Sequence, residues 1–342
     1  MVEAQSGGGG RELKIWALLG AHRGDNNQVL ALAEALDLPF ETKSLHYNSW
    51  RHLQPRLLGA SLQSVSRDSR SLVLGVPPDL TISTGHRSVP VVQFIRQRSG
   101  GRTRTVHIGF PRFPPERFDL VVATPEYPIP ERPNVMRIPL ALNRGRPDPA
   151  NDGSADAWSE RFKSPRSLLV LGGPSLYWTL LPGDVSEALS RLLDNEGHEG
   201  SVLVVASPRT PPEVLRAVER GLAGATSDAT FVPMNGPPTY PQLLEAADRI
   251  FVTADSVAMV SEAVASGKPV GLVTIRQTLG GRAYMGLMDR IRPGKRVYPR
   301  DLRFFWRGLH EMNLVGTVQH PVQGRVPSVM AEVVERVRRL ID

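Results

Sequence analysis

Residues 251–270 read FVTADSVAMVSEAVASGKPV. The stretch starts as an apolar run typical of a buried strand, and it ends on a Gly-Lys-Pro turn that leads into another apolar run. Small apolar residues at helical spacing lie in between, so we expect a helix over 257–266 with Asp255 or Ser256 as its cap. Gly267 suits the C′ position that ends such a helix. A strand, a helix and a second strand in succession predict a parallel sheet covered by helices.

The same alternation occurs along most of the chain. Short apolar runs predict strands at 14–19, 79–83, 105–108, 120–124, 167–171, 201–206, 230–233 and 249–253. Helical periodicity follows many of them, at 29–36, 88–98, 185–193, 213–221 and 241–247. Two such series predict an α/β protein with two doubly wound, Rossmann-like domains that face a central cleft.

The boundary between the two series is marked by composition. Residues 143–162 are rich in Pro, Gly, Asn and Asp and have no periodicity, which is typical of an interdomain linker. We therefore expect domains at 11–142 and 163–324, followed by a C-terminal helix within 325–342. The pattern of that helix does not decide which domain it packs against.

Composition excludes several classes of function. The 342-residue chain has no cysteine, which rules out disulfides, thiolate nucleophiles and Cys-ligated zinc, and its eight histidines lack metal-ligand spacing. The net charge of +7 suits an anionic membrane surface or a phosphorylated ligand, but without a Lys/Arg block we expect no nucleic-acid binding. No apolar run approaches the roughly 18 residues of a spanning helix. Residues 1–14 have no signal-peptide pattern and indicate a disordered leader, so we expect a cytoplasmic protein that associates at most peripherally with a membrane.

Ligands bind beyond the carboxyl ends of parallel strands, so the turns at these ends hold the candidate site residues. The first turn, GAHRGDNNQ at 20–28, has glycines for close backbone approach, an acid/base pair and asparagines suited to capping a helix. An ordinary capping loop without a ligand explains the same residues equally well. A basic pair follows the strand at 79–83, where a plain helix start is the competing interpretation. The candidates in these two turns are Gly20, His22, Gly24, Asp25, Asn26, His86 and Arg87.

The second half of the chain has a different set of turns. Two glycines follow the strand at 167–171, and their amides suit a diphosphate, although neither GxGxxG nor a Walker motif is present. The helix start near Asp255 also suits phosphate. Glu262 lies on the same helical face as Asp255 and suits two ribose hydroxyls; an ordinary surface carboxylate is the competing interpretation. The candidates are Gly172, Gly173, Ser175 as a cap, Arg209, Asp255, Ser256 and Glu262.

Residues 47–70 combine tryptophan and leucines with arginines. Such a segment could contact an anionic membrane or a lipid-linked acceptor. We favour an amphipathic helix with solvated arginines, because this is the commoner role of such a pattern.

Four motifs together resemble the mitochondrial-fission, elongated-mitochondria family of bacteria and plants. They are PDLTISTGHRSVPV at 78–91, LLVLGGPS at 168–175, ASPRTP at 206–211 and TADSVAMVSEAVASGKPV at 253–270. The resemblance covers about residues 14–270. The same motifs are similar to those of GT-B glycosyltransferases, particularly the peptidoglycan N-acetylglucosaminyl transferase that acts on a lipid-linked sugar.

The resemblance implies roles for the candidates. Gly172 and Gly173 would face the diphosphate of a nucleotide sugar, with Asp255 and Ser256 beside it. Glu262 would hold the ribose. The segment 231–236, with Met234, would pass the nucleobase, and the first turn with Gly20 and Gly24 would lie at the acceptor.

The first turn has Arg-Gly-Asp-Asn where the transferase has Gly-Gly-His, so the general base is not carried over. The candidates for it are Asp25, His22, His86 and His107, and we favour Asp25.

We therefore expect a glycosyltransferase that moves a sugar from a nucleoside diphosphate to a hydroxyl acceptor, either lipid-linked or part of a cell-surface glycan. No cofactor or metal is expected, because helix amides, Arg209 and Lys268 would stabilise the diphosphate leaving group. Two alternatives remain: an epimerase that acts on nucleotide sugars, and a non-catalytic scaffold with the same fold.

Overall fold

The computed structural model describes residues 13–144, 161–196, 200–225, 228–232 and 238–342. Its first sheet has six strands in the order β2-β1-β3-β4-β5-β6. Strands β1 to β5 pair in parallel. The central strands are buried on both faces; β1 and β5 are apolar runs, whereas β3 and β4 also bury polar side chains such as Ser83 and His107. The strands are β1 (Ile15–Leu19), β2 (Phe40–Ser44), β3 (Leu80–Thr84), β4 (Arg104–Ile108), β5 (Leu120–Ala123) and β6 (Val135–Arg137).

The second sheet also has six strands, in the order β10-β9-β7-β11-β12-β14, and all of its pairs are parallel. A short antiparallel pair of β8 and β13 accompanies it. These strands are β7 (Arg166–Leu171), β8 (Trp178–Thr179), β9 (Ser201–Ala206), β10 (Asp228–Val232), β11 (Arg249–Thr253), β12 (Val270–Val273), β13 (Arg276–Gln277) and β14 (Gly316–Thr317).

Helices connect the strands in both sheets, as the alternating pattern predicts. The helix after β11, Val257–Ala265, begins and ends as expected, and Gly267 beyond it has a left-handed φ of 72°. The other α-helices are Arg23–Ala35, Pro55–Leu58, Arg67–Ser71, Val89–Arg98, Pro182–Glu196, Pro212–Ala223, Tyr240–Ala246, Leu279–Ile291, Leu302–Glu311 and Val329–Ile341, with 3-10 turns at Ser49–His52 and Pro115–Arg117.

The chain forms two compact units. The first comprises Met1–Val122, Ile129–Met136 and Met330–Asp342, and the second comprises Ala123–Pro128 and Arg137–Val329. The C-terminal helix, whose partner the sequence left open, thus belongs to the first unit. Its Val333 and Val337 are fully buried, and Arg338 donates a hydrogen bond of 2.9 Å to the carbonyl of Leu36.

Each sheet has one point at which the strand order reverses direction. In the first sheet the reversal lies between β1 and β3, and in the second it lies between β7 and β11. The carboxyl ends of two parallel strands diverge there, which leaves a crevice where ligands of doubly wound proteins bind. The candidate turns after β1, β3, β7 and β11 all lie at these two points.

The expectation of one amphipathic helix over 47–70 is wrong. The segment consists of a 3-10 turn and two short helices, and Tyr47 forms an isolated bridge with Val65. Gly59, with a φ of 57°, ends the helix that Pro55 begins, because a continuing helix cannot adopt that backbone angle. The predicted linker, 143–162, lies mostly outside the described residues.

Candidate functional site

The turn after β7 is held by side chains from the end of β11. The amide of Gly172 donates to the hydroxyl of Thr253 at 2.7 Å, and the amide of Gly173 donates to Asp255 Oδ2 at 3.0 Å. The Thr253 hydroxyl in turn donates to Asp255 Oδ1 at 2.7 Å. Two hydrogen bonds thus join the two strand ends at the reversal point of the second sheet, and a third fixes the two acceptors to each other.

The glycines are required here by the approach of other protein atoms. A Cβ added to Gly172 would lie 2.3 Å from both carboxylate oxygens of Asp255, and one added to Gly173 would lie 2.2 Å from the carbonyl oxygen of Arg209. The prediction that these two amides face a diphosphate does not agree with their hydrogen bonds, since both amides already have acceptors within the protein. A ligand would therefore have to contact polar groups next to this turn, such as Arg209, and not these two amides.

Asp255 is buried, with 2 % of its surface exposed. Burial raises the pKa of its carboxyl group, because a charged carboxylate loses its hydration there. The bonds from Thr253 and Gly173 and the charge of Arg209 act in the opposite direction. Arg209 Nη2 lies 3.4 Å from Asp255 Oδ2, while half of the arginine side chain is exposed. One side of this guanidinium is therefore open to solvent and to an anion.

Ser256 is the cap of the helix Val257–Ala265. Its hydroxyl accepts a hydrogen bond of 3.4 Å from the amide of Met259. The remaining amides of the first turn give the helix start a partial positive charge. The sequence left Asp255 and Ser256 as alternatives for the cap, and the structure identifies Ser256.

Glu262 lies two turns along this helix and is half-buried. Its charge helps to raise the pKa of the phenol of Tyr240, for which burial is the larger cause. The Tyr240 hydroxyl is buried and has no hydrogen-bond partner among the described residues. A carboxylate and an unpaired hydroxyl thus lie in one polar region of the second unit. Met234, the candidate next to the nucleobase, lies outside the described residues.

Two further predictions in this unit are wrong. The ammonium of Lys268 donates to the carbonyls of Leu244, at 2.9 Å, and of Glu245 and Ala247. It therefore neutralises the carbonyl end of the helix Tyr240–Ala246 and does not stand ready for a leaving group. Ser175 caps no helix, because its backbone pairs with Trp178 in a tight turn.

Sequence reasoning missed the supporting roles of three residues. Thr210 donates to the carbonyl of Gly172 at 2.6 Å, and Trp306 donates from its indole to the carbonyl of Ala254 at 2.8 Å. Thr253, the third, was placed only as the end of a strand. A threonine at the end of a run of buried apolar residues is a signal in the sequence for a supporting hydrogen bond. The role of Trp306 has no such signal, because its indole comes from a helix about fifty residues away.

In the first unit, Asn26 closes the turn after β1. Its amide group exchanges two hydrogen bonds of 2.8 Å with the backbone of Gly20. Asn26 is therefore not a helix cap, and the helix begins at Arg23, directly after His22. Gly24 lies in the first helical turn, with no atom within 4 Å of where its Cβ would be. The capping role predicted for Asn26 is thus wrong, and the role predicted for Gly24 stays a prediction.

The turns after β1 and β3 meet at the reversal point of the first sheet. A Cβ on Gly85, which has a φ of 69°, would lie 3.9 Å from Asp25 Oδ2. Burial and then the charges of Arg112, Arg87 and His22 lower the pKa of His86 to about 4. Its imidazole is therefore neutral and only weakly basic at neutral pH.

Arg87 adds a positive charge to this turn. Its Nε atom is buried and has no hydrogen-bond partner in the described parts of the chain. An acceptor group on a ligand could satisfy this donor.

His107 is excluded as a base that touches a substrate. It is fully buried, its Nδ1 lies 3.0 Å from the hydroxyl of Ser83, and its ring packs on Phe118 at a centroid distance of 5.1 Å. Burial lowers its pKa to about 3. His107 is therefore a core residue of the first unit.

The described residues contain neither a metal-binding cluster nor a membrane-spanning helix. No group of three or more His, Asp or Glu side chains there could hold a metal ion. Within the same residues, no helix is both long and apolar enough to cross a membrane.

Solved structures share this arrangement of two sheets. A glycosyltransferase from Rickettsia africae ESF-5 matches 97% of the chain and 99% of its own length, with a TM-score of 0.53 at 11% identity. A UDP-GlcNAc 2-epimerase from Methanocaldococcus jannaschii matches 96% and 99%, with a TM-score of 0.52 at 13% identity. The chain therefore has two Rossmann-like sheets in the fold of GT-B glycosyltransferases and related epimerases, which confirms the predicted fold class.

Sequence comparison identifies the family. A curated relative, "Mitochondrial fission protein ELM1" of Arabidopsis thaliana, is 28% identical over an alignment of 247 positions that covers 64% of this chain. The match spans 56% of the relative, so the chain corresponds to little more than half of that protein. The family model described as "Mitochondrial fission ELM1" matches residues 23–292. The chain therefore belongs to the mitochondrial fission ELM1 family.

Proposed function

We propose that the chain binds a nucleoside-diphosphate sugar through its second unit and transfers the sugar to a hydroxyl acceptor. The main support is the group of residues in the turns after β7, β9 and β11. The group comprises the half-exposed Arg209, the helix start capped by Ser256, and the carboxylate of Glu262 on that helix. Likeness in fold to a glycosyltransferase and to a UDP-GlcNAc 2-epimerase is consistent with such a ligand.

The diphosphate would bind at Arg209 and at the start of the helix Val257–Ala265. A guanidinium donates to two phosphate oxygens at once, and a helix start adds backbone amides and a partial positive charge. Asp255 keeps Arg209 close to this start through its contact of 3.4 Å. Burial raises the pKa of the Asp255 carboxyl, and the positive charge of Arg209 offsets the charge of this carboxylate towards an anion.

The nucleoside would be recognised by Glu262 and Tyr240. A carboxylate accepts hydrogen bonds from two adjacent ribose hydroxyls. The buried hydroxyl of Tyr240, which no described residue satisfies, could bond to the same nucleoside. Leaving a buried hydroxyl unpaired costs roughly 1–3 kcal/mol, so a ligand that pairs it gains affinity.

In the transfer step, the acceptor oxygen forms a bond to the anomeric carbon, and the bond from that carbon to the diphosphate oxygen breaks. The bonding electrons leave with the diphosphate, whose new charge Arg209 and the helix amides stabilise. The hydroxyl proton passes to a base. We propose Asp25 for this role, because the pKa of His86, lowered to about 4, makes its imidazole a weak base at neutral pH.

Thermal shift with a panel of UDP-, GDP- and dTDP-sugars tests the proposal first. A ligand that binds only the folded chain at about 100 times its Kd adds about 2.7 kcal/mol to the free energy of unfolding. Calorimetry on the Glu262→Ala variant follows, and we expect it to abolish measurable binding. The matched control is Glu213→Ala, on an exposed carboxylate of the helix Pro212–Ala223.

Two results would contradict the proposal: no nucleotide sugar stabilises the protein, or Glu262→Ala binds as tightly as the wild type. Incubation of the protein with a bound nucleotide sugar and no acceptor separates the related activities. Appearance of the epimeric nucleotide sugar would assign an epimerase, whereas a transferase yields at most slow hydrolysis.

A further inference from the structure

The helix after β13, Leu279–Ile291, exposes a row of large aliphatic side chains. Leu279 is 83 % exposed, Leu287 52 % and Ile291 59 %. Successive members are eight and four residues apart, which places them on one face. Gly281 and Met285, on the opposite face, are buried. The helix therefore turns an apolar face to solvent although it already packs on the second unit.

Positive charge surrounds this face. The one carboxylate of the helix, Asp289, is bound by Arg303 through two hydrogen bonds of 2.7 and 3.0 Å. Arg303 also pairs with Asp301, so one cation is shared by two carboxylates here. The cationic side chains on the helix and directly after it are all exposed, namely Arg282, Arg290, Arg292 and Lys295.

Tyrosines border the same face. The rings of Tyr177 and Tyr284 stack at a centroid distance of 5.2 Å, and the Tyr177 hydroxyl donates to the carbonyl of Tyr298 at 2.7 Å. Tyr298 is exposed, and so is Leu176, which precedes Tyr177 in the turn after β7. Aliphatic, tyrosine and basic side chains are thus combined on one surface of the second unit.

We propose that this surface docks on an anionic lipid bilayer. The aliphatic side chains would enter the acyl boundary, the tyrosines would lie at headgroup depth, and the four cations would contact lipid phosphates. This docking surface consists of Leu176, Leu279, Leu287, Ile291 and these four cations.

Charge complementarity selects a bilayer as the occupant. A protein partner would have to supply carboxylates at fixed positions opposite four long, exposed cations. An anionic headgroup layer supplies negative charge over the whole face without fixed geometry, and each cation near such a layer strengthens binding. This surface differs from residues 47–70, the membrane candidate in the sequence, whose Leu57 is 75 % exposed. The proposal does not depend on nucleotide-sugar binding.

Vesicle co-sedimentation with the full chain tests the proposal. We expect binding to vesicles of phosphatidylcholine mixed with phosphatidylglycerol, little binding to pure phosphatidylcholine, and weakening between about 0.1 M and about 1 M salt as charges are screened. The double variant Leu287→Asp/Ile291→Asp should bind at least roughly tenfold more weakly, because it removes two aliphatic side chains and adds two negative charges. Arg290→Glu/Arg292→Glu should lose the preference for anionic lipid.

The matched control is Leu57→Asp/Val76→Asp, which makes the same charge change at two exposed aliphatic side chains elsewhere. It should bind vesicles like the wild type. All of the substituted side chains are exposed, and unchanged circular dichroism and Tm will show that the variants fold. The proposal is overturned if the wild type ignores anionic vesicles, if the Leu287/Ile291 variant binds as well as the wild type, or if only the control loses binding. Concentration-dependent self-association without vesicle binding would assign the surface to a protein partner instead.

Discussion

The hydroxyl of Thr253 donates a hydrogen bond of 2.7 Å to the buried carboxylate of Asp255 and accepts one of 2.7 Å from the amide of Gly172. One hydroxyl therefore satisfies an amide of the turn after β7 and a carboxylate of the turn after β11. The two turns are fixed before any ligand arrives. A binding site needs such fixed geometry, because Arg209 and the helix start must keep their positions relative to each other.

Replacement of Thr253 by Val should destabilise the fold. Valine keeps the shape but removes the acceptor of the Gly172 amide and a donor to Asp255, both in buried surroundings. We expect the free energy of unfolding, measured with urea, to fall by about 1–3 kcal/mol. The control Thr274→Val changes an exposed threonine and should have little effect. Equal unfolding curves for Thr253→Val and the wild type would contradict this hydrogen-bond network.

Gly172→Ala should be destabilising for a steric reason. The new Cβ would lie 2.3 Å from both carboxylate oxygens of Asp255, so the carboxylate must move and weaken its bond to the amide of Gly173. A loss of about 1–3 kcal/mol in unfolding free energy is expected. The control is Gly183→Ala in the helix Pro182–Glu196, where a Cβ meets no atom within 4 Å. That change should raise stability by about 0.5–1 kcal/mol, and a loss as large as that of Gly172→Ala would argue against the steric account.

Much of the fold could be predicted from the sequence because parallel strands are buried on both faces. Strands such as β7, β9 and β11 are continuous apolar runs and were located to within a residue. Strand β2, with the sequence FETKS, was missed because it lies at a sheet edge, where polar side chains are tolerated. Residues 47–70 were misassigned because helical periodicity was weighted above the breaks at Pro55 and Gly59.

The candidate site could be located from the sequence but its contacts could not. Residues at strand ends are recognisable, and the strand order then brings the turns together. Nothing in the local pattern indicates that Asp255 accepts from Gly173, some eighty residues earlier. Lys268 likewise follows a predicted helix end, and its ammonium reaches a different helix only in the folded chain. Such pairings depend on tertiary structure.

Lys268→Met separates two roles for this lysine. If its ammonium only neutralises the carbonyls at the end of the helix Tyr240–Ala246, the variant should unfold about 1–3 kcal/mol more easily, since charged hydrogen bonds are lost. Binding of a nucleotide sugar, measured by calorimetry below the melting range, should be unchanged. Lys163→Met, at an exposed lysine, is the matched control for charge. A variant that keeps its stability but loses turnover would restore the leaving-group role that the structure excludes.

His107 should make the protein sensitive to acid. Burial lowers its pKa from 6.5 to about 3, so the folded state resists a proton that the unfolded state accepts readily. The stability from this neutral histidine is complete above about pH 6.5 and is lost as the pH falls towards the folded pKa, by about 1.4 kcal/mol per pH unit in between. His107→Gln removes the titrating group, so urea unfolding between these pH values should show a shallower decline than in the wild type, even if the variant is less stable at neutral pH. His320→Gln, at an exposed histidine, should keep the wild-type slope. Parallel pH profiles for His107→Gln and the wild type would contradict the prediction, because they would show that folding does not lower the pKa of His107.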